Sequence, residues 1–184
     1  MASTATTTFT ALPSSVILRD DPKYEEARVG RVFNQRRPDR YPHGVVEATC
    51  VEDVVKAVKL AKELKLRVSV RSGGHSWAAW SVRDDAILID LGKLNFLELN
   101  ESTNIARASP STTGRVLNKF LATKGKMFGG GHCPDVGLGG FLLQGGMGWN
   151  CAVRLPPKLL YSRHADSLFR TGAGLVRRSS RSRL

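Results

Sequence analysis

Two glycine-dense stretches constrain this 184-residue chain more than any other feature. Residues 71–76 read RSGGHS, and residues 129–148 read GGGHCPDVGLGGFLLQGGMG. Glycine inside a helix or strand is destabilising, so neither stretch is expected to be regular throughout. Each must instead be a place where the main chain turns tightly or is approached closely. An imidazole, His75, directly follows one glycine pair, and a thiol, Cys133, sits within the other block. Successive bare amides make a nest for an anion, and a helix start beyond them adds its dipole. RSGGHS follows an apolar, β-branched run. Its amides, with the hydroxyls of Ser72 and Ser76, could hold a pyrophosphate. PDVGLGG (134–140) offers a second such wall. Either half alone also reads as a tight turn. No register of the glycines fits Gly-x-Gly-x-x-Gly, and Gly-x-x-x-x-Gly-Lys-Ser/Thr is absent, so the commonest nucleotide fingerprints do not apply.

The glycine stretches are framed by periodic segments. Residues 1–20 are expected to be a flexible lead, and 21–34 a short helix started by Asp21 and Pro22. Residues 36–44 form a loop with two prolines. GVVEATC (44–50) reads as a strand and 51–66 as the strongest helix, with Val51, Val54, Val55, Val58, Ala61 and Leu64 facing inward. Glu52 and Asp53 occupy its first turn, where the dipole favours anions. RVSVRS (67–72) and AILIDL (86–91) are further strands, and the strand–helix–strand unit has the length of a parallel crossover. NFLELNES and IARASP suggest two short strands joined by a turn. Residues 112–125 form an amphipathic helix with Val116, Leu117, Phe120 and Leu121 inward and Gly125 as its stop. GGFLLQGG supplies one or two helical turns at most. The fold class expected is α+β (α/β-like).

Composition narrows the possible functions. With 41% apolar residues the chain can bury a core, and no run approaches the length of a membrane span. The first basic residue is Arg19, and Pro13, Ser14 and Ser15 break the early apolar stretch, which argues against a secretory signal and for an intracellular protein. Cys50, Cys133 and Cys151 show no zinc spacing, so no metal is expected. Net charge is +12, but residues 152–184 hold seven Arg and one Lys against one Asp, a net +7 that leaves +5 for residues 1–151. The basicity belongs to a tail expected to be disordered. A phosphate-binding role for RRSSRSR lacks any accompanying aromatic or RNA motif, so no specific nucleic-acid partner is expected.

RSGGHS followed by GHCPDVGLGGFLLQGGMG closely resembles the FAD-binding domain of the berberine bridge enzyme-like oxidoreductases, within the vanillyl-alcohol-oxidase/PCMH flavoproteins. The resemblance runs from about Arg40 to Cys151, and divides the chain into a lead with a short helix (1–37), a partial FAD-binding domain (38–151) and the tail (152–184). It implies FAD as cofactor, bonded covalently to His75, with Cys133 as a candidate second attachment. A neutral imidazole or a thiolate can add at the electrophilic edge of an oxidised flavin, which retains the cofactor and makes it a stronger electron acceptor. It also implies that Ser72, Gly73, Gly74 and Ser76 surround the pyrophosphate, and that Asp135, Gly137, Gly139, Gly140, Gly145 and Gly146 wall the other side. His43, His132 and His164 read as surface or satisfied histidines, and Trp77, Trp80 and Trp149 as packing residues.

The implied activity is FAD-dependent oxidation of an alcohol-, sugar- or alkaloid-like small molecule, with molecular oxygen as electron acceptor and no membrane partner. Family members continue into a second part of the FAD domain and a substrate domain that supplies the catalytic base. The resemblance stops at Cys151, so no catalytic residue is assigned, and a shifted frame, an unspliced intron or an early stop is the expected cause. Stability scales with buried surface, so such a chain is expected to be marginal and to hold flavin weakly or not at all. The alternative reading is a non-catalytic flavin-binding remnant.

Overall fold

The computed structural model describes Pro13 and residues 15–148. Four strands form one sheet in the order β1-β2-β4-β3. They are β1 (Val16–Leu18), β2 (Gly44–Glu47), β3 (Arg67–Arg71) and β4 (Ala86–Asp90). β2 and β3 both run parallel to β4, whereas β1 pairs antiparallel with β2. β4 therefore lies between the two strands of the crossover. Every residue of AILID is buried, which explains its unbroken apolar run.

Helix α1 (Tyr24–Val29) covers one face of the sheet, where Tyr24 and Ala27 join Ile17, Val45 and Leu88. Helix α2 (Val51–Glu63) covers the other, where Ala57 and Ala61 meet Val46, Ala48, Ile87 and Ile89. A two-stranded antiparallel ribbon, β5 (Leu97–Asn100) with β6 (Ile105–Ala108), packs with α3 (Gly114–Ala122) and α4 (Leu138–Leu143) around Leu117, Leu121 and Leu138. Thr113 caps α3 by accepting a hydrogen bond from the Val116 amide.

Four expectations need correction. Residues 1–20 are not a lead throughout: Val16–Leu18 form β1, and Ile17 is buried in the α1 core. The helix expected over 21–34 spans only Tyr24–Val29, because the chain must leave helical geometry after Gly30 to run along the glycine loop. The inner face of α2 is Asp53, Ala57, Leu60 and Ala61, while Val51, Val55 and Val58 are 60%, 48% and 46% exposed. Two alanines let the helix approach the sheet closely, and that geometry overrides the larger hydrophobicity of the valines. Val116 likewise points out of α3, with Leu117 and Leu121 inward. The tail expected over 152–184 lies outside the described residues, as do Trp149, Cys151 and His164.

Candidate functional site

The glycine loop leaves the C-terminal end of β3, and β4 begins only at Ala86. Ligand sites of open sheets with parallel strands form at this end. Below the loop, Arg71 and Asp90 face each other across the β3–β4 register. Both are buried; Arg71 Nε donates to Asp90 Oδ2 at 2.8 Å, and the guanidinium also donates to the carbonyls of Ala27 and Arg28. Burial pushes the Arg71 guanidinium below its usual range, against the pull of the Asp90 carboxylate. This buried pair fixes the end of β3 against the end of α1, and the loop starts from it.

Two close approaches explain where glycine is required. A Cβ on Gly73 would lie 2.7 Å from the Gly137 amide nitrogen, and one on Gly137 would lie 2.7 Å from the Gly73 Cα. The two glycine stretches therefore touch backbone to backbone. Gly74 has φ +72°, and a Cβ there would meet the Arg31 carbonyl oxygen at 1.9 Å.

The contact brings His75 and Cys133 together. Cys133 Sγ lies 3.5 Å from His75 Nε2, across 58 residues of sequence. Both line a cleft of about 500 Å³ with Gly30, Arg31, Val32, Phe33, Gln35, Gly73 and Asp135. Asp135 is held by Arg115, whose Nε and Nη2 donate to its two carboxylate oxygens at 2.7 and 2.8 Å. That pairing holds the Asp135 carboxyl below the usual carboxylate range, with the His75 ring as a lesser contributor.

Among the described residues, the amides of Gly73, Gly74, His75 and Ser76 donate to no protein acceptor. Four consecutive bare N–H groups after a strand suit an anion. The other glycine stretch differs. Its Val136, Leu138 and Gly139 amides donate to the carbonyls of Cys133, Thr112 and Pro110. Its glycines serve close packing more than open main chain.

The remaining candidates fall around this centre. The Ser72 carbonyl accepts from Arg31 Nη2 and Ser111 Oγ, and Ser76 Oγ accepts from the Trp80 amide. Gly139 and Gly140 lie against Pro110 and the Ser72 side chain. Gly145 and Gly146 sit beyond the end of α4, away from the residues that line the cleft, with Gly146 under the Phe141 ring. His43 and His132 are exposed. Trp77 and Trp80 are not core residues: Trp77 is 75% exposed and meets Phe33 edge-on, and Trp80 lies under the Arg40 guanidinium. Sequence reasoning missed Arg31, Phe33 and Asn34, which border the loop, and Arg115, which holds Asp135. None belongs to a periodic pattern that points at the site; the aromatic residue soon after Gly30 was the one available signal.

The chemistry of the loop and cleft residues suits a flavin dinucleotide: the loop amides an anion such as a pyrophosphate, and the adjacent imidazole and thiol the edge of a planar ring. Comparison with known proteins gives the family. Residues 42–154 match the FAD binding domain family. The FAD-linked oxidoreductase penO of Penicillium crustosum is 50% identical over 142 residues, which cover 76% of this chain and 31% of that protein. Xylooligosaccharide oxidase of Thermothelomyces thermophilus is 32% identical over 64% of this chain and 24% of its own length. The solved structure of BBE-like 1 from Physcomitrella patens superposes with a TM-score of 0.62 at 28% identity, over 73% of this chain and 29% of that one. The chain thus spans about a third of the length of the curated relatives it matches. Its mixed α+β fold is that of the PCMH-type FAD-binding domains, and the chain belongs to the FAD binding domain family represented in FAD-linked oxidoreductases.

Proposed function

We propose that these residues form the cofactor-holding part of an oxidase-type, FAD-dependent oxidoreductase whose flavin is bonded to His75, with Cys133 as a second point of attachment. The observation that carries this reading is the meeting of His75 and Cys133 at 3.5 Å, beside a loop of four bare amides. FAD, when bound, supplies the two-electron acceptor to which a substrate hydride is delivered. The amides of Gly73–Ser76 bind the pyrophosphate charge. The imidazole and thiol present their nucleophilic atoms at one edge of the cleft, close enough for a single planar ring system to meet both. Gly73 and Gly137 keep the walls in register, and Arg115 holds Asp135 as a fixed negative charge on the cleft that His75 and Cys133 also line. Attachment at His75 would exchange one flavin C–H bond and the imidazole N–H for a C–N bond, with the two electrons and two protons released taken up by molecular oxygen as hydrogen peroxide.

The substrate class is an alcohol-, sugar- or alkaloid-like small molecule oxidised at the expense of oxygen, and a sugar oxidase among the relatives supports its sugar member. Among the described residues no helix is long and apolar enough to cross a membrane. The test is to purify the chain with saturating FAD, precipitate it in acid, and measure flavin retained on peptides carrying His75 and Cys133. Hydrogen peroxide release is then assayed with sugars and secondary alcohols. Adduct on His75 would support the reading and overturn the sequence-based expectation that the chain holds flavin weakly or not at all. Complete loss of flavin in acid, with neither peptide modified, would overturn covalent attachment. Retained flavin without peroxide from any substrate would favour a binding role over oxidase activity.

A further inference from the structure

The segment Arg31–Asn34 runs along the glycine loop and touches it at four successive points. Arg31 Nη2 donates to the Ser72 carbonyl at 2.6 Å, and the Phe33 amide donates to the Gly74 carbonyl at 3.2 Å. The Phe33 ring stacks on the His75 imidazole with centroids 3.9 Å apart and planes 8° from parallel, and Asn34 Nδ2 donates to the Trp77 carbonyl at 3.0 Å. The contacts, made by Arg31, Phe33 (twice) and Asn34, run in the same order along both segments, so the segment fastens the loop like a clasp. It approaches so closely that only glycine fits at 74.

We propose that Arg31–Asn34 is a positioning clasp for the cofactor loop, with Phe33 the residue that sets the plane of the His75 ring. This inference rests on the flavin-holding role of His75 proposed above. The physical argument concerns what an imidazole does without such a partner. A histidine on a glycine-rich loop has two torsions free to rotate, and its ring would sample several planes. Here Phe33 covers one face of the ring, and Cys133 Sγ stands at the Nε2 edge. The ring plane is fixed between them, at the cleft that Phe33, His75 and Cys133 all line. Misplacement of a reacting group by about 1 Å can cost about 10²-fold in rate. Phe33 is itself partly exposed and outside the apolar clusters of the sheet, so its role is not core packing. The ion pair of Arg31 with the buried Asp90 ties the start of the clasp to the end of β4.

Substitution at Phe33 separates orientation from stability. Phe33→Leu keeps apolar bulk and removes the ring; Phe33→Tyr keeps the ring. Both variants are compared with the native chain by thermal unfolding, by NMR of the histidine ring protons assigned through His75→Gln, and by the rate of acid-stable flavin attachment at saturating FAD. Stacking places the His75 ring protons in the shielding region of the phenyl face. The native chain and Phe33→Tyr are expected to share upfield His75 signals, which Phe33→Leu loses at an unchanged unfolding midpoint. Attachment is expected to slow by about 10²-fold in Phe33→Leu and to recover in Phe33→Tyr. Identical His75 signals in the native chain and Phe33→Leu would overturn the proposal, as would equal attachment rates. If the native chain forms no adduct at all, covalent attachment fails, and the ring signals alone still decide whether Phe33 orients His75.

Discussion

Replacing Asp90 with alanine probes the buried pair on which the cofactor loop is mounted. Asp90 is 2% exposed and accepts hydrogen bonds from Arg71, Arg31 and the Gly92 amide. Arg71 is also 2% exposed, so without the carboxylate its guanidinium is left charged in the interior. Breaking a buried pair from one side costs about 3–5 kcal/mol. Whole domains have only about 5–15 kcal/mol of stability, so a large fraction would be lost. Arg31 is partly exposed and can rehydrate, so its contribution is under about 1 kcal/mol. Apolar replacement of both partners, Asp90→Leu with Arg71→Met, would be nearly neutral if only the pair mattered. Arg71 also serves the Ala27 and Arg28 carbonyls, however, and each buried carbonyl left bare costs about 1–3 kcal/mol. Urea unfolding at neutral pH should therefore show Asp90→Ala less stable by about 3–5 kcal/mol. The double variant should remain below the native chain, and Arg31→Gln should lie close to it. A loss under about 1 kcal/mol for Asp90→Ala would refute the claim that this pair holds α1 to the sheet.

Other outcomes follow from the same geometry. Gly137→Ala forces a methyl group against the Gly73 backbone, and should cost about 1–3 kcal/mol and separate the cleft walls, measured by unfolding and by FAD affinity. On α2, Ala57→Leu should destabilise by a similar amount, whereas Val55→Thr should change stability by less than about 0.5 kcal/mol; equal effects would contradict the assigned inner face. Glu25 is held below the usual carboxylate range, chiefly by its hydrogen bonds with Arg28. Its stabilisation is therefore present above its unfolded pKa of about 4.3 and is lost as pH falls through the lower folded value. Glu25→Gln should cost a little at pH 7, under about 1 kcal/mol because Glu25 is half exposed, and the difference should vanish in acid.

The elements with a clear period were legible in the sequence: AILID as a buried strand, the helix from Val51, and the ribbon around Asn100–Ile105. Faces were less legible. On α2 the valines carried the hydrophobic signal, but the sheet selected alanines because close approach matters more there than transfer energy. At the site, the chemistry of His75 and Cys133 could be read from residue type and glycine context. Their approach was implied by the resemblance, which attaches both to one flavin, but by no local pattern, because it depends on two glycines 64 positions apart, Gly73 and Gly137, touching backbone to backbone. The clasp was invisible for a related reason. Arg31–Asn34 is irregular chain whose hydrogen bonds run from main chain and polar tips to loop carbonyls, and such contacts leave no periodic trace.

The central claim is that imidazole and thiol border one flavin-facing cleft. Its most direct test is the alkylation rate of Cys133, read peptide by peptide, with and without FAD at a concentration that saturates the flavin absorbance change. Cys50, at the start of α2 and away from the residues that line the cleft, is the internal reference. FAD should slow alkylation of Cys133 and leave Cys50 unchanged. Equal Cys133 rates in the two conditions, while flavin is bound, would place the cofactor elsewhere.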